Sequence, residues 1–99
     1  MAFSKPSLEH KGLTVSNAYL RVSNVEYIHN GKRVAFLISS YANKAASDAN
    51  MRLDDVFVGQ MDIALGADVA DILAQIYTDI KGKRGTDEKY AIFVDCTDV

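Results

Sequence analysis

The sequence predicts an α+β fold: a small, twisted, mainly antiparallel sheet, made of one long hairpin and two further strands, with one amphipathic helix packed on one face. Three observations lead to this prediction. The pair Asn30-Gly31 joins two β-branched runs, an apolar stripe of helical period follows later, and short apolar runs flank that stripe. A helix with one narrow stripe must cover one face of a sheet. We expect an arm over residues 1–12 and a single α+β domain over residues 13–99.

The long hairpin extends from about Leu13 to Asn43 and turns at Asn30-Gly31. Asn-Gly favours a type I′ turn, because both central residues of that turn need a positive φ. The apolar positions change parity further back, which predicts a β-bulge near Ser23-Asn24 and a similar slip near Ser16-Asn17. The turn predicts these cross-strand pairs: His29 with Lys32, Ile28 with Arg33, Tyr27 with Val34, and Val25 with Phe36.

Two segments lack a sustained period. Residues 1–12 are polar and contain the only proline, so they predict an arm or an irregular lead-in. Residues 42–55 are rich in Ala, Asn, Asp and Ser, and predict a long connection with one short helical turn around Lys44–Met51. A connection of that length in a small domain is often a binding element, and a plain surface excursion is the equal alternative.

The second half of the chain alternates strand, helix and strand. Val56–Leu65 predicts a third strand in which Gly59 marks a bend or a close backbone approach. Tyr90–Asp95 predicts a final strand, and the helix between the two strands suggests a right-handed crossover that joins parallel neighbours. The residues expected on the inner face of the third strand are Phe57, Met61, Ile63 and Leu65.

The intervening helix has clear limits in the sequence. Asp68 is a good N-cap, Asp71 suits the positive end of the helix dipole, and Gly82 is placed to end the helix. Lys81, Lys83 and Arg84 surround that end, so Lys83–Thr86 is interpreted as a basic turn rather than a phosphate loop, which would precede a helix. The apolar stripe consists of Val69, Ile72, Leu73, Ile76 and Ile80.

Composition argues against several functions. A net charge of −2 gives no general attraction to nucleic acid, and no apolar stretch approaches the roughly 20 residues of a membrane span. His10 and His29 are the only histidines, so we expect no metal, no cofactor, no catalytic residues and no small-molecule substrate. Cys96 lies next to carboxylates that raise a thiol pKa, and is interpreted as a bystander. Without an apolar leader at the N-terminus, synthesis in a reducing cytoplasm is expected.

Short motifs along most of the chain carry a resemblance to a known group. They are the strand AYLRVSNVEY, the segment VAFLISSYANKAA, the helix DVADILAQIYTDIK and the acidic, apolar end DCTDV. This chain resembles the small tail-associated structural proteins of tailed bacteriophages. The resemblance implies a virion component of the tail, fibre or baseplate, present in several copies, and brings no catalytic residues. The matching residues are Ala18, Tyr19, Arg21, Val22, Gln75, Tyr77, Asp95 and Cys96.

Our first hypothesis is therefore a non-enzymatic structural or assembly protein of a phage virion, a homo-oligomer that contacts other tail proteins. The exposed side of the hairpin would pair an aromatic with a cation, which suits a protein interface. A small acidic phage-encoded inhibitor or adaptor that binds a host protein is the alternative, and a small hydrolase or ligand-binding domain is the third. The candidate interface residues are Phe3, Lys5, Tyr19, Arg21, Tyr41, Asn43, Lys44, Met51 and Arg52.

Overall fold

The computed structural model describes residues 2–28, 32–63 and 68–99. In these parts of the chain, five strands form one antiparallel sheet in the order β4-β3-β2-β1-β5. The strands are β1 (Phe3–His10), β2 (Leu13–Ile28), β3 (Arg33–Tyr41), β4 (Asp54–Asp62) and β5 (Thr97–Asp98). The helices are α1 (Lys44–Asp48), α2 (Val69–Lys83) and a 3₁₀ helix (Glu88–Phe93). The predicted α+β class, with one main helix on an antiparallel sheet, is confirmed.

The register of the long hairpin agrees with the prediction. As predicted, Ile28 lies opposite Arg33. Farther from the turn, Tyr27 lies opposite Val34 and Val25 opposite Phe36. The turn at Asn30-Gly31 and the pair of His29 with Lys32 lie outside the described residues. A register shift between Val22 and Asn24 confirms the predicted bulge.

The bulge is tied to the main helix by a hydrogen bond. The Val22 N–H donates to the Tyr77 hydroxyl of α2, over 2.9 Å in a buried position. Burial raises the pKa of Tyr77 above its ordinary value, and the bond from Val22 opposes that rise. The hydroxyl therefore satisfies a buried backbone donor that would otherwise be costly.

The predicted N-terminal arm is wrong, because residues 3–10 form a strand of the sheet. Phe3 is fully buried, and its ring centroid lies 5.3 Å from that of Tyr77 and 5.6 Å from that of Phe93. The proline that suggested an arm is tolerated because β5 covers β1 only at its first two residues, so Pro6 lies on an open edge. Near Ser16-Asn17 the β1–β2 register is the same on both sides, so the predicted shift of register does not occur. The strand is nevertheless irregular there, because Asn17 has a φ of 53° and its pair with Pro6 is missing from the ladder.

α2 packs on one face of the sheet, and its stripe is only partly as predicted. Asp68 caps the helix by accepting a bond from the Asp71 N–H, as expected. Val69 is 61% exposed, because it lies at the first helical position, whereas Tyr77 joins the core. Gly82 lies inside the helix, which continues to Lys83, so the predicted end was early. The buried helix residues are Ile72, Ile76, Tyr77 and Ile80.

The predicted final strand, Tyr90–Asp95, is instead the 3₁₀ helix followed by a turn. Tyr90 and Phe93 are three residues apart, so a 3₁₀ helix directs both rings to one side. Their centroids lie 4.9 and 5.1 Å from that of Phe57. The strand that follows is the two-residue β5, which pairs antiparallel with β1 at the edge opposite β4. α2 therefore does not join parallel neighbours.

Gly59 allows two rings of the core to approach the sheet closely, as the sequence predicted. A Cβ atom at Gly59 would lie 2.6 Å from Phe36 Cζ and 2.7 Å from Phe57 Cε1. Both rings are packed in the core, so they have little room to move.

We expect Gly59→Ala to lower the free energy of unfolding by about 1–3 kcal/mol, because the added methyl overpacks the core. The matched control is Gly82→Ala, where, apart from its own helix backbone and chain neighbours, no described atom lies within 4 Å of the new methyl. That change is expected to raise the free energy of unfolding by about 0.5–1 kcal/mol, because alanine favours a helix. Urea denaturation measures both. Equal stability of the two variants would contradict the close approach at Gly59.

Cys96 is buried, and the pKa of its thiol is raised to about 11. Burial is the main cause, the Asp95 carboxylate adds to the rise, and Lys5 and Arg84 oppose it. The predicted direction is confirmed, although the neighbouring charge is the smaller cause. A protonated, buried thiol is a poor nucleophile, which agrees with the interpretation of Cys96 as a bystander.

Candidate protein-interaction surface

The connection between β3 and β4 folds over the sheet face opposite α2. Leu20, Val22 and Ile38 are buried on the α2 side, so alternation along the strands turns Arg21 and Ser39 to the other face. These two residues lie opposite each other in the β2–β3 register, and Tyr19 lies opposite Tyr41. The connection, residues 42–53, covers this part of the face.

Local hydrogen bonds hold the connection in place. Asn43 caps α1, because its Oδ1 accepts from the Ala46 N–H over 2.8 Å. Asn50 has a φ of 56°, a left-handed conformation that asparagine tolerates. The N–H of the following residue, Met51, donates to the Ala46 carbonyl over 2.8 Å. The Leu53 N–H then donates to the Ser40 carbonyl of β3 over 2.8 Å. The short helix is therefore tied to the sheet at its exit.

Arg21 joins the connection to the sheet through its guanidinium group. Its Nε donates to the Ser47 hydroxyl and its Nη2 to Asn50 Oδ1 over 3.1 Å. The guanidinium carbon lies 4.7 Å from the centre of the Tyr41 ring, which is a cation–π contact. Among the residues that the structure describes, no carboxylate pairs with Arg21. Its positive charge is held rigidly and is not neutralised there.

A chain of polar groups lies beside Arg21, at the place where the sheet bends. The fully buried Ser39 donates to Asp55 Oδ1 over 2.9 Å, and its Oγ lies 2.6 Å from Ser23 Oγ. Arg52 Nη1 is 3.2 Å from the same carboxylate oxygen. The β2–β3 register shifts between Val22 and Asn24, and the β3–β4 register shifts between Ile38 and Ser39. These two bulges, on either side of β3, bring the polar groups close together.

An open groove of about 710 Å³ lies over these residues. Met51 is 66% exposed at the groove, whereas Tyr41 is buried and forms its floor. Arg52 and Arg21 place two cations next to that exposed apolar side chain. We call the seven residues that line the groove the α1 surface: Arg21, Ser23, Tyr41, Asn50, Met51, Arg52 and Leu53.

The structure brings most of the predicted interface residues together. Arg21, Tyr41, Met51 and Arg52 line the groove, and Tyr19 pairs with Tyr41 in the sheet. The remaining two residues of this region lie at the start of α1. Asn43 is its N-cap, and Lys44 is its first residue, with Nζ 3.4 Å from Asp48 Oδ2.

Two predicted interface residues lie elsewhere. Phe3 is part of the core, so it is not available on the surface. Lys5 Nζ donates to the Ile92 carbonyl over 2.9 Å and to Asp95 Oδ1 over 2.7 Å, and only a small part of its side chain is exposed. The bond from Lys5 holds the pKa of the Asp95 carboxyl below its ordinary value. Both assignments depended on the arm that is in fact β1.

Sequence reasoning missed the small polar residues that support the surface. Ser23, Ser39, Ser47, Asn50 and Asp55 carry no motif, and they meet only because β3 lies between two bulges. The change of parity near Ser23 was the one available signal. Within the described parts of the chain, no three His, Cys, Asp or Glu residues come close enough to hold a metal ion.

The described helices include none that is long and apolar enough to cross a membrane. Comparison of this chain with protein-family models, with curated proteins and with solved structures found no match.

Proposed function

We propose that this protein is a non-enzymatic structural or assembly protein of a bacteriophage virion, present in several copies in the tail, fibre or baseplate. It acts by binding other proteins, and the α1 surface is the contact. The observation that supports this role best is the groove that exposed Met51 shares with Arg52, Tyr41 and Arg21, whose guanidinium group lies against the Tyr41 ring. Met, Arg and Tyr are the residue types enriched in the centres of protein interfaces.

The rigidity of the surface supports the same proposal. Arg21 already makes hydrogen bonds to Ser47 and Asn50 and stacks on Tyr41 before any partner arrives. Little side-chain freedom remains to be lost at that residue, and pre-organisation of this kind favours association. Asp55, in the polar chain beneath, pairs with Arg52, whereas no described carboxylate pairs with Arg21, so one positive charge remains unpaired among the described residues at the groove.

A place in the virion is proposed because the chain resembles tail-associated structural proteins. The residues that carry the resemblance lie in different places. Tyr19 and Arg21 lie at the face that α1 covers, whereas Tyr77 supports the bulge from α2. In this proposal the core motif maintains the sheet, and the exposed motif contacts neighbouring subunits.

Quantitative mass spectrometry of purified particles tests the proposal, with phages that encode the wild-type protein, Met51→Glu or Val94→Glu. We expect the wild type in particles in several copies, and at least a tenfold loss of incorporation for Met51→Glu. Val94 is 59% exposed, close to the 66% of Met51, but lies outside the α1 surface, so its change is the matched control and should leave incorporation unchanged.

Two results would contradict the proposal. Normal incorporation of a folded Met51→Glu variant would exclude the α1 surface as the contact. Absence of the wild-type protein from particles, together with a stoichiometric complex with a host protein, would instead support the inhibitor or adaptor alternative. Thermal unfolding of each variant shows whether the substitution has altered the fold.

A further inference from the structure

The face of the sheet opposite α2 is covered along only part of its length. Alternate residues of β3 turn to this face, and two of them, Ser39 and Tyr41, are buried where the connection between β3 and β4 lies over them. Farther along β3, Ala35 and Leu37 turn to the same face and stay partly exposed. The α1 surface therefore lies beside a lower, uncovered area of the same face.

We call this uncovered area the open face and define it by five residues that line a groove of about 200 Å³: Asn24, Glu26, Ala35, Leu37 and Val58. Val58 is 64% exposed and lies opposite Leu37 in the β3–β4 register. Glu26 is exposed, and no cation of the described residues forms an ion pair with it. The open face thus combines exposed apolar surface with one unpaired negative charge.

The α1 surface is complementary to the open face. It carries the unpaired positive charge of Arg21, and its other cation, Arg52, is already paired with Asp55. The exposed apolar side chain of Met51 lies in the same groove as the two cations. The connection that bears this surface stands above the sheet, whereas the open face is recessed beside it. The two areas therefore match in charge, in apolar character and in shape.

The arrangement of the two areas allows two copies to contact each other symmetrically. Arg21 lies opposite Ser39, and Glu26 lies opposite Ala35, so their positions are about 13 Å apart along the strands. A half-turn about an axis that lies between two facing sheets and crosses their strands exchanges the two areas. Each Arg21 then approaches Glu26 of the other copy, and each connection lies over the other copy's open face. Such an arrangement closes with two copies.

We propose that a second copy of this chain binds in this way, so that the α1 surface of each copy covers the open face of the other. The inference rests on the proposed function and names the partner of the α1 surface. The contact gives the unpaired charges of Arg21 and Glu26 opposite charges, which their burial requires. It also removes the apolar side chains of Met51 and Val58 from water.

Sedimentation velocity of the purified full chain over a concentration series tests the inference. We expect a dimer for the wild type and at least tenfold weaker dimerisation for Glu26→Lys, because this change places two cations together. Glu9→Lys is the matched control. Glu9 is also exposed, lies in neither area and forms no ion pair with the described residues, so its change should leave dimerisation as in the wild type.

Val58→Lys is a second variant of the open face, and we expect it to weaken dimerisation at least fivefold. Met51→Glu changes the α1 surface instead and should weaken dimerisation by bringing two carboxylates together. A mixture of the Glu26→Lys and Met51→Glu proteins should recover a mixed dimer. One of its two contacts is then wild type, and the other pairs the new glutamate with the new lysine.

Thermal unfolding shows whether each variant is folded, and the remaining outcomes are distinct. A wild type that is monomeric at millimolar concentration would overturn the inference, as would a dimer that folded Glu26→Lys and Val58→Lys both retain. A dimer that only Met51→Glu dissociates, with no recovery in the mixture, would overturn it in favour of contact between two α1 surfaces. A monomer that still enters virions would leave the proposed function intact, whereas a dimer absent from virions would contradict only that function.

Discussion

Phe3→Ala is expected to lower the free energy of unfolding by about 3–5 kcal/mol, the usual loss for a fully buried phenylalanine. The Phe3 ring lies between Tyr77 of α2 and Phe93 of the 3₁₀ helix, so its removal opens a cavity where three elements meet. The truncation would also weaken the attachment of β1 to the rest of the sheet. Urea denaturation with a fluorescence or circular dichroism signal measures the loss.

The control for Phe3→Ala is Leu13→Ala. Leu13 is 70% exposed at the start of β2, so its truncation should change the free energy of unfolding by no more than about 0.5 kcal/mol. A loss below about 1 kcal/mol for Phe3→Ala would show that the first residues form a loose arm, as their sequence suggested.

Ile76→Ala is expected to cost about 2–5 kcal/mol of the free energy of unfolding. Ile76 is fully buried in the middle of α2 and belongs to the main core cluster with residues from the sheet. Alanine favours a helix, so the expected loss comes from the cavity and from the lost burial of apolar surface, not from the helix itself.

Val69→Ala is the control for this second change, since Val69 lies in the same helix and in the same predicted stripe but is largely exposed. We expect it to be neutral or slightly stabilising. If the two substitutions cost the same, α2 does not pack on the sheet through Ile76. A loss of less than about 1 kcal/mol for Ile76→Ala would lead to the same conclusion.

Phe3→Ala and Ile76→Ala both affect the sheet that supports the proposed contact, the α1 surface. The α1 surface is held by Arg21 and Ser39, on the outer side of strands whose inner side packs against α2. Loss of packing on the inner side should therefore weaken binding through the α1 surface. The surface substitution Met51→Glu should reduce binding without a comparable loss of stability, which separates the two effects.

Short-range features were predictable from the residues alone. The hairpin register depends on the spacing from Asn30-Gly31, and the start of α2 depends on a cap whose partner lies three residues away. The bulge near Ser23-Asn24 is visible as a change of parity, and the close approach at Gly59 as a glycine within a strand. Each of these depends on interactions between residues near in sequence or directly paired.

Features that depend on distant residues were not predictable in the same way. β1 is polar and contains Pro6, and it is a strand because Phe3 finds a place between α2 and the 3₁₀ helix. Tyr90–Asp95 has the composition of a strand, but contacts of Tyr90 and Phe93 with Phe57 favour a 3₁₀ helix. Tertiary packing outweighed local propensity in both segments, because propensities are small beside the burial of an aromatic ring.

The α1 surface illustrates the same division. Two of its residues could be chosen from the sequence: Arg21 because it alternates with the apolar positions Leu20 and Val22, and Met51 because it lies in the long connection. Their arrangement depends on Ser39 and Asp55, which approach each other only after β2, β3 and β4 have paired with two register shifts. Alternation along one strand sets the face on which a side chain lies. Pairing between strands sets its neighbours, and no single segment of the sequence contains that information.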